Sequence, residues 1–182
     1  AMSKRQDKLC NDLSTISAWA HQWKMQFNPE ISKQAIEVIF SYKINKPDHP
    51  FLVFNGIPVA RKESTKHLGL ILDERLFFRL HIKETLPKAK KGIGLLKYMS
   101  RYVSRDVLDT LYKMYIRPHL DYGDVIYHGQ IQESMDLLES IQYQAARIVT
   151  GCWQGTSRLK LYNELGWESL QERRRYRRLL TV

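Results

Sequence analysis

Cysteine is almost missing from this chain: Cys10 and Cys152 are the only two in 182 residues. Two thiols that far apart in sequence exclude a disulfide framework and a metal knuckle, and they fit a reducing, intracellular setting. Glycine (9) and proline (6) are also sparse, which excludes collagen-like and low-complexity chains. No stretch approaches the roughly 18 consecutive apolar residues of a membrane span. The start, Ala1-Met2-Ser3-Lys4-Arg5, lacks the apolar segment of a signal peptide, and Ala1-Met2 reads as a cloning scar. Catalytic words are missing as well. There is no adjacent pair of aspartates to hold two metal ions, no Gly-x-x-x-x-Gly-Lys phosphate loop, no His-Glu-x-x-His zinc helix and no Gly-x-Ser-x-Gly elbow. Gly92-Ile93-Gly94 lacks the third glycine of a dinucleotide fingerprint and sits inside a helical pattern, where glycine permits close packing.

What is present is positive charge. Lys and Arg number 29 against 19 Asp and Glu, giving a formal net charge of +10. With 43% hydrophobic and 11% aromatic residues the chain has the composition of a globular protein. Its basicity points to an acidic partner, nucleic acid before an anionic membrane.

Leu9, Leu13, Ile16, Ala20, Trp23 and Phe27 recur at helical spacing and predict one amphipathic helix, stopped by Asn28-Pro29. From residue 35 to 73 the period shortens. Ile36-Val38-Phe40-Tyr42 alternates, Phe51-Leu52-Val53-Phe54 is strand-rich, Asn55-Gly56 is a tight-turn pair, and Leu68 to Leu72 follows. This predicts a small antiparallel sheet with a loop over 43–50. Helical spacing then returns: Ile82, Leu86, Ala89, Ile93 and Leu96 form a stripe that Pro87 can kink. Ser104 opens a helix through Leu108, Leu111 and Tyr115 that Pro118 is expected to interrupt. A further helix follows Ser134 with Met135, Leu138, Ile141, Ala145 and Ile148 inward, ending at Gly151. A short one lies between Ser157 and Gly166, and Ser169-Leu170-Gln171-Glu172 fits a capping box that starts the last. The fold class is α+β, with a helix and small sheet over 3–76 and a helical bundle over 77–182.

On an ideal helical wheel Lys83, Lys90, Lys97 and Arg101 fall within roughly 40° of one another beside the apolar stripe. Such a ridge suits a sugar-phosphate backbone, and it equally fits a solvated face. The last helix adds Arg173, Arg174, Arg175, Arg177 and Arg178, whose planar guanidiniums suit phosphate or the surface of a partner. His119, Asp121 and Asp124 are the nearest approach to a metal site, and aspartates after a helix break also serve as turn caps. Trp153 and Trp167 are candidate interface anchors or packing residues.

Several segments in order resemble one family, the reverse transcriptases of non-long-terminal-repeat retrotransposons of the jockey-like or LINE-like kind. They are Ile16-Ser17-Ala18-Trp19-Ala20, Trp23-Lys24-Met25-Gln26-Phe27-Asn28, His67-Leu68-Gly69-Leu70-Ile71-Leu72-Asp73 and His81-Ile82. Tyr115 to Gly123, Glu139-Ser140-Ile141-Gln142, and Leu165-Gly166-Trp167-Glu168-Ser169-Leu170 with Arg173-Arg174 continue the series. The resemblance implies the end of a palm, a primer-grip-like hairpin and a thumb. In the family the paired catalytic aspartates lie just before the segment matching 5–28, so this stretch would carry no polymerase chemistry or cofactor of its own, Mg2+ belonging to an intact palm. It implies that His67, Leu68 and Gly69 hold the primer end. The Lys83-Lys90-Lys97-Arg101 ridge would lie along the duplex, and Arg173, Arg174, Arg177 and Arg178 would add phosphate contacts. Where related polymerases carry a proton-donating lysine this chain reads Ile31, with Lys33 two residues later. The implied partners are RNA, an RNA–DNA duplex and the rest of the polymerase, in a ribonucleoprotein of nucleus and cytoplasm. No membrane is implied, and exposure of Trp19 or Trp23 would favour self-association. The alternative is a host-domesticated helical module that binds a protein.

Overall fold

The computed structural model describes residues 2–27, 35–43, 51–127 and 132–181, with only the backbone described for 2–6. It divides into two compact units, one comprising Ala1–His67 with Leu72–Arg75, the other Leu68–Ile71 with Leu76–Val182.

The first unit begins with α1 (Met2–Gln22). The helix ends five residues before Phe27: Lys24 turns the chain at φ 53°, and the Met25 amide closes the end by donating to the Ala20 carbonyl at 2.9 Å. Of the predicted stripe only Ala20 is buried, while Trp19, Trp23 and Phe27 stay exposed. Among the described residues the strands are shorter than the alternation predicts and form three separate pairs. β1 (Ile36–Glu37) pairs in parallel with β4 (Ala60–Arg61). β2 (Val53–Phe54) and β3 (Ile57–Pro58) form an antiparallel hairpin. Asn55 and Gly56 supply the two positive φ values, 52° and 78°, that a type I′ turn needs. The Arg61 guanidinium meets Glu37 at 2.9 Å and lies over the Phe51 ring. β5 (Ser64–His67) and β6 (Leu70–Asp73) make a third pair.

The second unit is helical, and the α+β class holds. α2 (Arg79–Met99) buries Ile82, Ala89 and Leu96 from its predicted stripe. α3 (Arg105–Leu111) passes into a π-helical turn, Tyr112–Ile116, and then into α4 (Arg117–Asp121). Pro118 therefore does not interrupt the helix. It sits in the first turn of α4, directly after the π turn, so the N–H that proline lacks is missing where the backbone ladder already changes its register. α5 (Gln132–Thr150) buries Met135, Leu138, Ile141 and Ala145. α6 (Arg158–Leu165) stops at Gly166, φ 64°. α7 (Leu170–Leu180) starts at the capping box read from the sequence. The Glu172 amide donates to Ser169 Oγ at 3.1 Å, and the Ser169 amide donates back to the Glu172 carboxylate at 3.0 Å. The Ser169 hydroxyl, donating to that carboxylate at 2.8 Å, and the Ser169 amide hold the Glu172 carboxyl below its ordinary range.

The core of the second unit contains a buried polar seam. The Tyr112 hydroxyl donates to Gln142 Oε1 at 2.7 Å, and Gln142 Nε2 donates to the Glu168 carbonyl at 2.8 Å. One turn away, Glu139 accepts from the Tyr162 hydroxyl at 2.7 Å and from the Leu170 amide at 3.0 Å. Trp167 stacks on Tyr112 with centroids 3.9 Å apart, and its indole N–H donates to Asp109 at 2.8 Å. α5 thus ties the π turn, α6 and the start of α7 together through satisfied polar groups. Satisfaction is what lets them sit in a dry core without a desolvation cost of about 1–3 kcal/mol each.

Candidate nucleic-acid interface

α2 positions the basic residues. Its inner stripe fixes its rotation, so Lys83, Lys90 and Lys97 fall on the exposed side with Arg101 in the turn that follows. At 1.5 Å rise per residue the three lysines are about 10 Å apart along the axis. No ion pair holds any of the four among the described residues, whereas Lys88 on the neighbouring row faces Glu84 at 4.0 Å. A groove of about 360 Å³ runs beside α2, lined by Arg79, Lys83, Lys90, Leu86, Pro87 and the α5 residues Ser134 and Leu137. Its floor is apolar and its rim cationic. From residue 85 to 105 the sequence holds no Asp or Glu and six Lys or Arg. That acid-free run, with the α5 side of the groove, is what spacing along one helix did not reveal, although the run itself is legible in composition.

The two central glycines of α2 differ. A Cβ on Gly92 would lie 2.5 Å from Ile116 Cγ1, so this glycine lets the π turn pack against the helix. Gly94 has nothing within 4 Å of such an atom and leaves the exposed face open.

The terminal arginines part company. Arg173 and Arg174 are buried, 6% and 3% exposed. Arg173 reaches Asp121 at 2.8 Å, and Arg174 lies over the Tyr127 ring with its Nη1 on Met135 Sδ. Arg177 bridges Asp121 at 2.6 Å and Asp124 at 2.7 Å, and Arg117 approaches Asp121 at 3.1 Å. Asp121 and Asp124 are therefore acceptors for arginine, and His119 is exposed beside them. No group of three or more His, Cys, Asp or Glu that could hold a metal occurs among the described residues. Burial raises the Asp124 carboxyl above its ordinary range against the opposing pull of Arg177, and burial lowers Arg174. Only Arg178, with Arg175, is turned to solvent, because four residues of α7 face the bundle: Leu170, Arg173, Arg174 and Arg177.

His67 ends β5, and Leu68 and Gly69 form the turn to β6; all three are exposed, Leu68 at 79%. Leu68 and Gly69 both have positive φ, 45° and 83°. The Tyr122 hydroxyl donates to the Leu68 carbonyl. A Cβ on Gly69 would lie 2.9 Å from that hydroxyl oxygen, and one on Gly123 2.5 Å from Leu70 Cδ2. Each glycine makes room for the side chain that precedes or follows the other, so the turn and the end of α4 are one joint. Gly69 thereby faces Tyr122 of its own chain. Lys33 lies outside the described residues. Trp167 is packed in the core, whereas Trp153 is 89% exposed. No helix among the described residues is long and apolar enough to cross a membrane.

Comparison with known proteins finds relatives of this sequence. Over 141 residues, 75% of this chain, the sequence is 31% identical to the probable RNA-directed DNA polymerase from transposon X-element of Drosophila melanogaster. It is 24% identical over 163 residues to the probable RNA-directed DNA polymerase from transposon BS of the same fly. It is 25% identical over 148 residues to the RNA-directed DNA polymerase from mobile element jockey of Drosophila funebris. The chain spans 15%, 18% and 16% of the lengths of these three relatives. No protein-family model matches it, and no solved structure matches it. The ordered words of the sequence and the relatives agree: this chain is related to one segment of the RNA-directed DNA polymerases of jockey-like, non-long-terminal-repeat retrotransposons.

Proposed function

We propose that this segment is the palm end and thumb of a retrotransposon reverse transcriptase, and that its helical unit holds the template–primer duplex. The observation that carries the reading is the exposed side of α2, where Lys83, Lys90, Lys97 and Arg101 project with no ion pair among the described residues. Cations on one row contact successive phosphates whatever the base sequence, which a polymerase moving along its template requires. An RNA–DNA duplex has A-like geometry, which proteins recognise through backbone and shape. Arg178 and Arg175 extend the cationic surface. Arg173 and Arg174 serve the fold instead, and Arg177 serves it in large part.

His67, Leu68 and Gly69 form a primer-grip-like tip in this reading, its Leu68 and Gly69 held by Tyr122. Polymerisation itself belongs to the whole protein, whose intact palm supplies the paired aspartates and Mg2+. The partners are RNA, an RNA–DNA duplex and the remainder of the polymerase, working as a ribonucleoprotein in nucleus and cytoplasm.

The test is duplex binding as a function of salt. Each phosphate contact contributes about −0.9 to the slope of log K against log salt. Charge reversal at Lys83, Lys90 and Lys97 together should flatten that slope by about 3 and weaken binding. An unchanged slope sinks the reading. A protein-binding module is the second reading, favoured by Trp153 at 89% exposure. In that case duplex binding is absent, and Trp153→Ala abolishes capture by the partner while the lysine variants do not.

A further inference from the structure

We propose that the C-terminal end of α2 is a stacking platform for unpaired nucleotides, built from Tyr98 and Tyr102. The proposal rests on the nucleic-acid reading of α2 and adds a second kind of contact to it, base faces in addition to phosphates.

Tyr98 lies in the last turn of α2 and Tyr102 in the turn beyond it, 62% and 66% exposed. Their rings touch, with centroids 5.4 Å apart and planes at 52°. Two adjoining aromatic rings left in water are more than scattered surface residues, since each could shed its apolar face by a change of rotamer. The spacing decides how a base would bind. Inserting one between the rings needs about 7 Å, twice the 3.4 Å rise of a single strand. At 5.4 Å the gap is too small. Each ring instead offers its outer face, and the pair presents two such faces at an angle.

The surroundings choose the occupant. Lys97 and Arg101 stand one residue before each tyrosine and are exposed, so cation and ring alternate along the chain. The nearest acidic residues in sequence are Glu84 and Asp106, outside the run that holds the platform. A protein partner would find cations and, along this run, no carboxylate to complement cations of its own. A nucleic-acid strand finds phosphate partners and ring faces together, the combination by which single strands are bound without sequence preference. Duplex bases cover one another's faces, so only a strand that leaves the duplex can use the rings. Placed at the end of the Lys83-Lys90-Lys97 row, the platform takes the unpaired nucleotides that continue a duplex held on that row.

The experiment compares two ligands on the 182-residue chain by fluorescence anisotropy at one salt concentration: a blunt RNA–DNA duplex, and the same duplex with a four-nucleotide overhang on either strand. The overhang should tighten binding roughly 5- to 150-fold for each base that stacks. Tyr98→Ala with Tyr102→Ala should erase that gain and leave blunt-duplex affinity within about twofold, and Tyr98→Phe with Tyr102→Phe should restore it. Both tyrosines are exposed, so the variants keep their fold, checked by far-ultraviolet circular dichroism. An overhang gain that survives the double alanine variant, or no gain in the wild type, overturns the proposal while leaving the duplex reading standing. Tyrosine-dependent binding of the overhang duplex with no binding of the blunt duplex supports the platform and overturns the duplex reading.

Discussion

Gly92 and Gly94 show how much a single side-chain position decides. Both sit in the middle of α2, and helix propensity alone treats them alike, each about 1 kcal/mol worse than alanine. Their surroundings do not. Gly92→Ala would drive a methyl into Ile116, 2.5 Å from Cγ1, and overpacking of this kind costs about 1–3 kcal/mol. Gly94→Ala meets open space and should stabilise the chain by up to about 1 kcal/mol. Urea denaturation of the two variants checks the pair: the midpoint falls for Gly92→Ala and rises for Gly94→Ala. If both rise, the close approach of the π turn to α2 is wrong. Gly94→Ala also probes the interface, because its methyl stands on the face with the lysine row. A variant that is more stable yet binds duplex less tightly would place a backbone close to residue 94.

At the scale of elements, the joint between the β5–β6 turn and the end of α4 rests on two glycines. Gly123→Ala combines a positive φ of 68° with a clash against Leu70 Cδ2. It should destabilise the chain by about 1–3 kcal/mol, read as a lower thermal midpoint. Tyr122→Phe keeps the ring and loses only the bond to the Leu68 carbonyl, so its cost should be near 1 kcal/mol. A Gly123→Ala midpoint no lower than the wild type's would mean that Leu70 gives way to the added methyl. The two sides of this joint are two of the ordered sequence words, His67 to Asp73 and Tyr115 to Gly123. A third and fourth, Glu139 to Gln142 and Leu165 to Leu170, meet in the polar seam. Sequence order showed the words and not their meetings, since partners 54 or 26 residues apart leave no periodicity. Helix positions were legible because their apolar spacing is local: α2 and α5 follow their stripes, and α7 follows its capping box. The strands were less so, because each pair is only two to four residues long and β1 with β4 pairs in parallel across 24 residues. The burial of Arg173 and Arg174 is illegible in the sequence for a related reason. Asp121 and Asp124, the acceptors of Arg173 and Arg177, lie about fifty residues upstream and read locally as turn caps.

For the molecule as a whole, the +10 charge is spread less evenly than the sequence implies. Arg173 and Arg177 of α7, with Arg117, pair with Asp121 and Asp124, and Arg174 lies buried over the Tyr127 ring, so much of the terminal cluster's charge is spent on holding α7 to the bundle. Truncating Asp121 would strand the buried Arg173 and leave Arg177 only Asp124; ion clusters of this kind are costly to break although they add little net stability when intact. The phenols of the same interior give the fold a definite alkaline limit. Burial raises the Tyr112 and Tyr127 hydroxyls to about 12 and moves Tyr162 higher still, with the Glu139 carboxylate adding to the effect. In the unfolded chain a tyrosine ionises near pH 10. A folded value above the unfolded one means the contribution is complete below about pH 10 and is lost as pH rises through 12, because the unfolded state releases its protons first. Each of Tyr112 and Tyr127 should remove about 3 kcal/mol over that window, about half of it by pH 11. Tyr127→Phe isolates one of them, since its hydroxyl makes only a long bond, 3.3 Å, to the Leu120 carbonyl. Urea melts of wild type and Tyr127→Phe between pH 8 and 11.5 should start within about 1 kcal/mol of each other and diverge above pH 10 in favour of the variant. Curves that stay parallel to the top of that range would mean that Tyr127 ionises without unfolding, and that the packing of Phe78, His81 and Arg174 around it is open to water.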